Sequence, residues 1–131
     1  MDDLQQLIEM MPFAAGLGLR LETASPEEVR GRLGWSAELC TTGGLLHGGA
    51  LMALADSLGG VCAYLNLPPG AGTATVSSNT SFMRAVRGGE VTAVASPLHI
   101  GRTTIVVQTL IRDGDGRSVA QTTQIQAVLR P

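Results

Sequence analysis

Residues 45–65 read LLHGGALMALADSLGGVCAYL, and this stretch decides the fold. Its larger apolar side chains recur every three or four residues, the spacing that places them on one face of an α-helix. That face comprises Leu51, Leu54, Ala55, Leu58, Cys62 and Leu65. Most other positions are Gly, Ala, Ser, Val or Met, so the helix is small and apolar nearly all round. We predict one long helix that starts near Leu45, is enclosed by protein and ends before Pro68.

The length of this helix also raises the question of a membrane span. Asp56 lies in the middle of the stretch, and a carboxylate at the centre of a bilayer costs roughly 2.5–3.5 kcal/mol. The N-terminal stretch MDDLQQLIEMMPF is acidic where a secretory signal is basic, and it has no long apolar run. We predict a cytoplasmic protein with no membrane segment.

The segments on either side of the long helix read as strands. Residues 17–24 and 28–36 predict two short strands joined by a turn at Ser25 and Pro26. Four more strands are predicted at residues 73–84, 90–100, 103–112 and 118–129. The separators are Gly88-Gly89, Gly101 and Asp113-Gly114-Asp115-Gly116, and each suits a tight connection between antiparallel neighbours. An amphipathic helix over residues 3–11, ending at Pro12, is expected on the outside of the domain.

The order of these elements predicts an α+β fold in which a single sheet curls around the long helix. The chain has 131 residues, the usual size of one domain, so residues 1–131 are predicted to form one domain. Only 15% of the residues are charged, which indicates that part of the surface is buried in an oligomer.

The charged residues exclude several classes of function. All nine basic residues are Arg, and the net charge is −2. Nucleic-acid binding depends on many basic contacts to phosphates, so no such partner is expected. Without lysine there is no Schiff-base or P-loop chemistry, and Arg alone remains to bind anionic groups firmly. Neither the two cysteines nor the two histidines have metal-ligand spacing, so no metal site is predicted.

Asp56 is the only carboxylate between Leu39 and Gly89. Its helical neighbours Met52, Gly59 and Ala63 leave room for a ligand to approach it. One interpretation is a structural acid at the surface or held by backbone donors, as is common. The other is a reactive carboxylate that acts as a base or nucleophile.

His47-Gly48-Gly49 stands at the start of the helix. Free backbone N–H groups and the positive end of the helix dipole at such a position can hold a developing oxyanion, and glycine permits close approach. The simpler interpretation is that His47 caps the helix and the glycines make a tight turn.

Taken together, residues 45–65 resemble the thioesterase hotdog superfamily, most closely its phenylacetate-degradation and hydroxybenzoyl-CoA or 1,4-dihydroxy-2-naphthoyl-CoA thioesterase branch. The nine-residue step from His47 to Asp56 matches the motif of that family. The resemblance continues through residues 77–129, so it covers roughly the whole chain after the first strand pair.

This resemblance implies a hotdog fold and a catalytic role for Asp56, as general base toward water or as nucleophile. Gly48 is then expected to donate its backbone N–H to the thioester oxygen, His47 to orient the site, and Thr75 to supply a helping hydroxyl. The position six residues before the histidine is usually Asn or Gln in the branch and is Thr41 here. This departure weakens the expectation that an amide positions the attacking water.

The resemblance also implies an acyl-CoA substrate with an aromatic or medium-chain acyl group, and no cofactor, because coenzyme A is part of the substrate. Met52, Leu58, Phe82 and Met83 are expected to shape the acyl pocket. The other residues expected to contact substrate or CoA are Gly49, Asn79, Arg84, Arg87, His99, Gly101 and Arg102. Family members form homodimers in which each site uses both chains, and dimers often pair into tetramers.

Two other functions are compatible with the same fold. A non-catalytic acyl-CoA-binding subunit would keep Asp56 while its helpers drift, and Thr41 is the feature that favours it. A hotdog hydratase or dehydratase needs a His and an acid at a different spacing, and no such pair is found.

Overall fold

The computed structural model describes residues 3–131, which form six strands wrapped around one long helix. The helices are α1 (Asp3–Glu9), α2 (Pro12–Leu17) and α3 (Gly48–Leu65). The strands are β1 (Arg20–Ala24), β2 (Val29–Gly34), β3 (Gly72–Phe82), β4 (Glu90–Ile100), β5 (Thr104–Arg112) and β6 (Ser118–Leu129). They form one antiparallel sheet in the order β1-β2-β4-β5-β6-β3. The predicted α+β arrangement is confirmed.

The connection at Gly88-Gly89 differs from the prediction. We expected a tight turn between paired strands, but β3 pairs with β6 at the edge of the sheet and β4 lies between β2 and β5. Residues 83–89 therefore cross from the edge to the interior of the sheet. Val86 anchors the crossing because it is buried and its carbonyl accepts a hydrogen bond from Leu46 N–H at 2.9 Å. The tight turns at Gly101 and at residues 113–116 are confirmed.

The N-terminal region contains a helix that the sequence analysis missed. The chain turns at Met11, and Pro12 occupies the first turn of α2, where its fixed φ and missing N–H suit a helix start. The predicted strand over 17–24 therefore begins only at Arg20, after Gly18 ends α2 in the left-handed conformation. The first helix is also less peripheral than expected, because Ile8 is buried in the core.

The large apolar face of α3 packs against the inner face of the sheet as predicted, with Leu54, Leu58 and Cys62 fully buried. Leu58 was expected to shape the acyl pocket, and that prediction is wrong. A Cβ at Gly31 would lie 3.1 Å from its Cδ1, so Leu58 packs tightly on β2 in the core. The helix starts at Gly48 rather than Leu45, because Leu46 forms a β-bridge with Cys40.

One face of α3 remains open, although the sequence suggested a helix enclosed on all sides. Met52, Asp56 and Tyr64 are exposed along it. Within residues 3–131, α3 is the one helix long and apolar enough to cross a membrane, and half of it is buried inside the fold. That degree of burial is typical of the core helix of a globular protein.

Leu58→Ala tests the core assignment. Removing a buried leucine side chain leaves a cavity, so the free energy of unfolding should fall by about 2–5 kcal/mol. Leu98→Ala is the matched control, because Leu98 is 57% exposed and the change should cost less than about 0.5 kcal/mol. Denaturant unfolding of both variants measures the difference, and equal losses would place Leu58 outside the core.

Candidate active site

The Asp56 carboxylate lies on the open face of α3 and is held by one of its two oxygens. Oδ1 accepts from the Thr75 hydroxyl and from the Gln124 amide nitrogen, each at 3.4 Å. These are long hydrogen bonds, and such bonds in active sites often tighten when substrate binds. Among residues 3–131, nothing bonds to Oδ2 and Asp56 forms no ion pair. One carboxylate oxygen is therefore available to a ligand.

Thr75 reaches Asp56 from β3, the strand at the edge of the sheet. The register of β3 against β6 shifts between Thr75 and Ser77, which leaves Val76 as the extra residue of a β-bulge. Bulges are common next to active sites because they re-aim side chains. Thr75 pairs with Gln126 on β6, whose amide donates to the threonine hydroxyl at 2.8 Å. The predicted meeting of Thr75 and Asp56 is thus present in the protomer.

The start of α3 presents an unpaired backbone donor. His47 is the N-cap, and its Nδ1 accepts the Gly49 N–H at 2.7 Å. This bond uses Nδ1 as an acceptor and leaves Nε2 directed away from the helix start. Gly48 is the first helical residue, and its N–H has no partner among the hydrogen bonds of residues 3–131. The structure shows the capping role of His47, and the role of the Gly48 N–H as an oxyanion donor stays a prediction.

A cavity of about 360 Å³ opens in front of Gly48. Thr41, Phe82, Met83 and Arg84 also line it, so four predicted ligand contacts and Thr41 converge here. A Cβ at Gly48 would lie only 3.2 Å from the Phe82 ring, which is why glycine lets the ring cover the helix start. The cavity therefore joins an apolar wall to a free N–H and an Arg at its rim.

Asp56 and Gly48 cannot act on one group within the same protomer. Asp56 follows Gly48 by eight residues, and the rise of an α-helix places them about 12 Å apart along the axis. A thioester carbonyl spans only a few ångströms. A site that uses both residues must therefore combine two copies of the chain.

A second cavity, apolar and about 250 Å³ in volume, lies one to two turns beyond Asp56 on α3. Gly60, Val61 and Tyr64 form its helical wall. The rest comes from elements that the sequence analysis did not assign to the site, namely Leu7, Met10 and Met11 near α1 and Thr73 on β3. Met52, the one predicted contact on this face of α3, is exposed on the other side of Asp56.

A third cavity, of about 490 Å³, continues from the Gly48 cavity past Arg84 to Arg87 and Arg117. Arg117 pairs with Asp113 and Asp115, whereas Arg84 and Arg87 form none of the ion pairs found in residues 3–131. The Asp113 carboxylate accepts the Arg117 backbone N–H, and this bond, followed by that of Asp115, holds the pKa of Asp113 below its usual value. Two guanidinium groups without an ion-pair partner therefore line this cavity, beside the two carboxylates that pair with Arg117.

The remaining predicted contacts lie elsewhere in the protomer. His99, Gly101 and Arg102 are at the β4–β5 turn, at the opposite end of the sheet from Arg84. Gly101 is required there, since a Cβ would lie 2.6 Å from His99 Nε2. Asn79 pairs with Thr123, so it points to the outer face of the sheet, away from α3. The protomer alone does not join these residues to Asp56.

The sequence analysis missed Gln124 and Gln126, two buried amides on the inner face of β6. Their alternation carried no signal for an inward orientation, because positions 122, 124 and 126 are all polar while the apolar Ile125 and Ala127 alternate with them. Cys62 has no such role. Burial raises the pKa of its thiol to about 11, so it stays protonated near neutral pH and packs as an apolar residue.

Comparison with known proteins identifies the family of this chain. A model of the thioesterase superfamily matches residues 43–120. The proofreading thioesterase EntH of Cronobacter sakazakii is 38% identical over 86 residues, which are 66% of this chain and 63% of that protein.

Solved structures agree with that assignment. A mutant of thioesterase PA1618 from Pseudomonas aeruginosa is 32% identical and superposes with a TM-score of 0.91 over 98% of this chain and 95% of that one. Thioesterase HI1161 from Haemophilus influenzae is 25% identical and superposes with a TM-score of 0.92 over 99% of this chain and 92% of that one. The chain belongs to the hotdog-fold thioesterase superfamily and is a thioester hydrolase.

Proposed function

We propose that the protein hydrolyses an acyl-CoA thioester and that Asp56 is its catalytic carboxylate. The observation that carries the proposal is the state of this side chain. It lies on the open face of the core helix, Oδ1 is held by Thr75 and Gln124, and Oδ2 is unpaired among the described residues. A carboxylate with one tethered and one free oxygen has the geometry of a base or a nucleophile.

Two routes use the free oxygen. As a general base, Oδ2 takes a proton from water while the water oxygen bonds to the thioester carbonyl carbon. As a nucleophile, Oδ2 itself attacks the carbon and forms an anhydride that water then opens. In both routes the carbonyl oxygen becomes an oxyanion, the C–S bond breaks, and CoA leaves as a thiolate that takes up a proton. The unpaired Gly48 N–H suits the oxyanion.

The partner in this site is proposed to be a second copy of the chain. β3 is an edge strand of 11 residues that pairs only with β6, and a long unpaired edge is a template for pairing with another strand. Exposed apolar side chains accompany this edge and the open face of α3, namely Met52, Tyr64, Val76, Phe82 and Met83. Antiparallel pairing of two β3 strands covers these surfaces and brings Gly48 of the partner subunit toward Asp56.

The same pairing explains how residues at opposite ends of the sheet contribute to one CoA site. Gly72 begins β3 opposite Leu129, next to the turn that carries Arg102, and Phe82 ends β3 shortly before Arg84. In an antiparallel pair, the start of one strand lies beside the end of the other. Arg102 of one subunit then lies on the same side as Arg84 and Arg87 of its partner, where guanidinium groups suit CoA phosphates.

The acyl group is proposed to occupy the 250 Å³ cavity beyond Asp56. Its walls are almost entirely apolar, and Tyr64 offers a flat aromatic surface. A small aromatic or medium-chain acyl group fits this chemistry. Thr41 keeps its place at the Gly48 cavity, where its hydroxyl can hold water but has a shorter reach than an amide. A dimer of dimers and residence in the cytoplasm stay predictions.

Asp56→Asn should abolish turnover. The change keeps the shape of the side chain and removes the basic and nucleophilic oxygen, and loss of general-base assistance alone costs about 10²–10⁴ in rate. Thermal melting and CoA binding should stay as in the wild type, because Asp56 is exposed and forms no ion pair. Asp3→Asn is the control, because it makes the same substitution at an exposed carboxylate on α1. Near-wild-type kcat in Asp56→Asn, measured by free-thiol release, would overturn the catalytic assignment.

Gly48→Pro should lower kcat by about 10²–10³, because it removes the proposed oxyanion donor. The backbone suits proline, because Gly48 is the first helical residue and His47 is already extended. A Cβ at this position lies 3.2 Å from the Phe82 ring, so Gly48→Ala, which adds the Cβ but keeps the N–H, is the matched control and should retain more of the wild-type kcat. Inactive Asp56→Asn and Gly48→Pro chains should complement each other when refolded together. A mixed dimer contains one intact site, so about one quarter of wild-type activity should return. No recovery in verified mixed dimers would show that the site lies within one protomer.

Charge reversal of Arg84, Arg87 or Arg102 should raise KM for acyl-CoA more than it lowers kcat. Their proposed partners are phosphates far from the reacting carbon. The same variants should hydrolyse an acyl-N-acetylcysteamine thioester, which lacks phosphates, at the wild-type rate. Arg30→Glu on the outer face of the sheet is the control. Unchanged KM for acyl-CoA in all three variants would mean that the phosphates bind elsewhere.

A further inference from the structure

We propose that Gln124 and Gln126 on β6 are positioning residues that hold Oδ1 of Asp56 and thereby present Oδ2 to the thioester. This inference rests on the proposed role of Asp56 and adds to it the choice of the reacting oxygen. Neither glutamine touches the reacting atoms. Gln124 acts on the carboxylate directly, and Gln126 acts through Thr75.

Gln124 lies in the protein interior, where an unpaired polar side chain costs folding free energy. The residue is fully buried, yet the only hydrogen bond of its side chain among the described residues is the one from Nε2 to Asp56. The other end of the amide, Oε1, is buried without a donor. Buried polar groups are normally paired, so an orphaned acceptor calls for an explanation other than stability. A donor aimed at the carboxylate provides one.

Gly59 leaves the space on α3 that this amide occupies. A Cβ at Gly59 would lie 1.9 Å from Gln124 Oε1 and 2.4 Å from its Cδ, which no side chain can accept. Gly59 is one turn beyond Asp56 on α3. Glycine is unfavourable inside a helix, but here it allows the amide to lie flat against the backbone with Nε2 directed at Oδ1.

The second support for Oδ1 is a chain of hydrogen bonds with a defined direction. The Thr73 hydroxyl lies 3.1 Å from Gln126 Oε1 and 2.9 Å from the Ala127 carbonyl oxygen, so these two acceptors share its one proton. Gln126 Nε2 then donates to Thr75 Oγ1 at 2.8 Å. Because that bond occupies the threonine oxygen as an acceptor, the threonine proton is left to point at Asp56 Oδ1. The carboxylate thus receives two donors on one oxygen.

Among residues 3–131, no ion pair competes with these donors for the carboxylate. Neither β3 nor β6 carries a charged or titratable side chain. Besides Asp56, α3 carries only Cys62, which is buried, and Tyr64, two turns away. The neutral amide and hydroxyl are therefore the groups of the protomer that hold the carboxylate in place.

Gln124→Met tests the inference, since it keeps the volume and removes both the donor and the orphaned acceptor. A hydrogen bond to a charged group is lost, so kcat should fall by roughly 10-fold to 100-fold with little change in KM. The melting temperature should be unchanged or higher. Gly59→Ala, which displaces the amide without altering it, should lower kcat in the same way.

Thr122→Val is the matched control. Thr122 is buried on the same strand face two residues before Gln124, and its hydroxyl bonds to Thr80 rather than toward Asp56. This variant should keep the wild-type kcat and KM. Gln126→Met should lower kcat in the wild-type background and have no further effect in Thr75→Val, because it acts through that hydroxyl.

The outcomes separate this inference from the proposed function. If Asp56→Asn is inactive but Gln124→Met keeps the wild-type kcat, the positioning role is wrong and the catalytic role stands. A fall in melting temperature with unchanged kcat would make Gln124 a packing residue and also overturn the inference. If Asp56→Asn remains active, the proposed function itself fails.

Discussion

The burial of one face of α3 by the sheet is the constraint on which the rest of the structure depends. Leu54, Leu58 and Cys62 are fully enclosed by the strands, and apolar burial on this scale is the main source of folding free energy. A single sheet can cover a helix from one side only. The side left open carries Asp56, so the packing that stabilises the fold also leaves the carboxylate accessible.

The inner face of the sheet is mostly apolar but becomes polar where it faces Asp56. Most inward positions are apolar, but β6 directs Gln124 and Gln126 toward the helix. Buried amides cost free energy unless they are paired, and Gln124 is only half paired. The protein therefore places its least satisfied buried group beside its candidate catalytic carboxylate, which is where strain or unpaired polarity is expected to serve function.

The groups proposed to form the site lie at two different places along α3. The start of the helix supplies the Gly48 N–H and a cavity edged by Arg84, while the middle supplies Asp56 and the apolar cavity of Gly60 and Tyr64. These parts are too far apart on one rigid helix to serve the same carbonyl. The proposed antiparallel pair of chains would remove the difficulty, because it would set the start of one helix beside the middle of the other.

The sequence by itself determined the elements and the chemistry of α3. Apolar periodicity, caps and turn residues are local signals, and they predicted the long helix, the strand pattern, and the prominence of Asp56, His47 and Gly48. The tertiary structure alone decided that β3 lies at the sheet edge, that Leu58 is core, that α1 lines a cavity and that Gln124 reaches Asp56. Those facts depend on pairing between segments far apart in the chain, and local periodicity does not encode which distant strand becomes a neighbour.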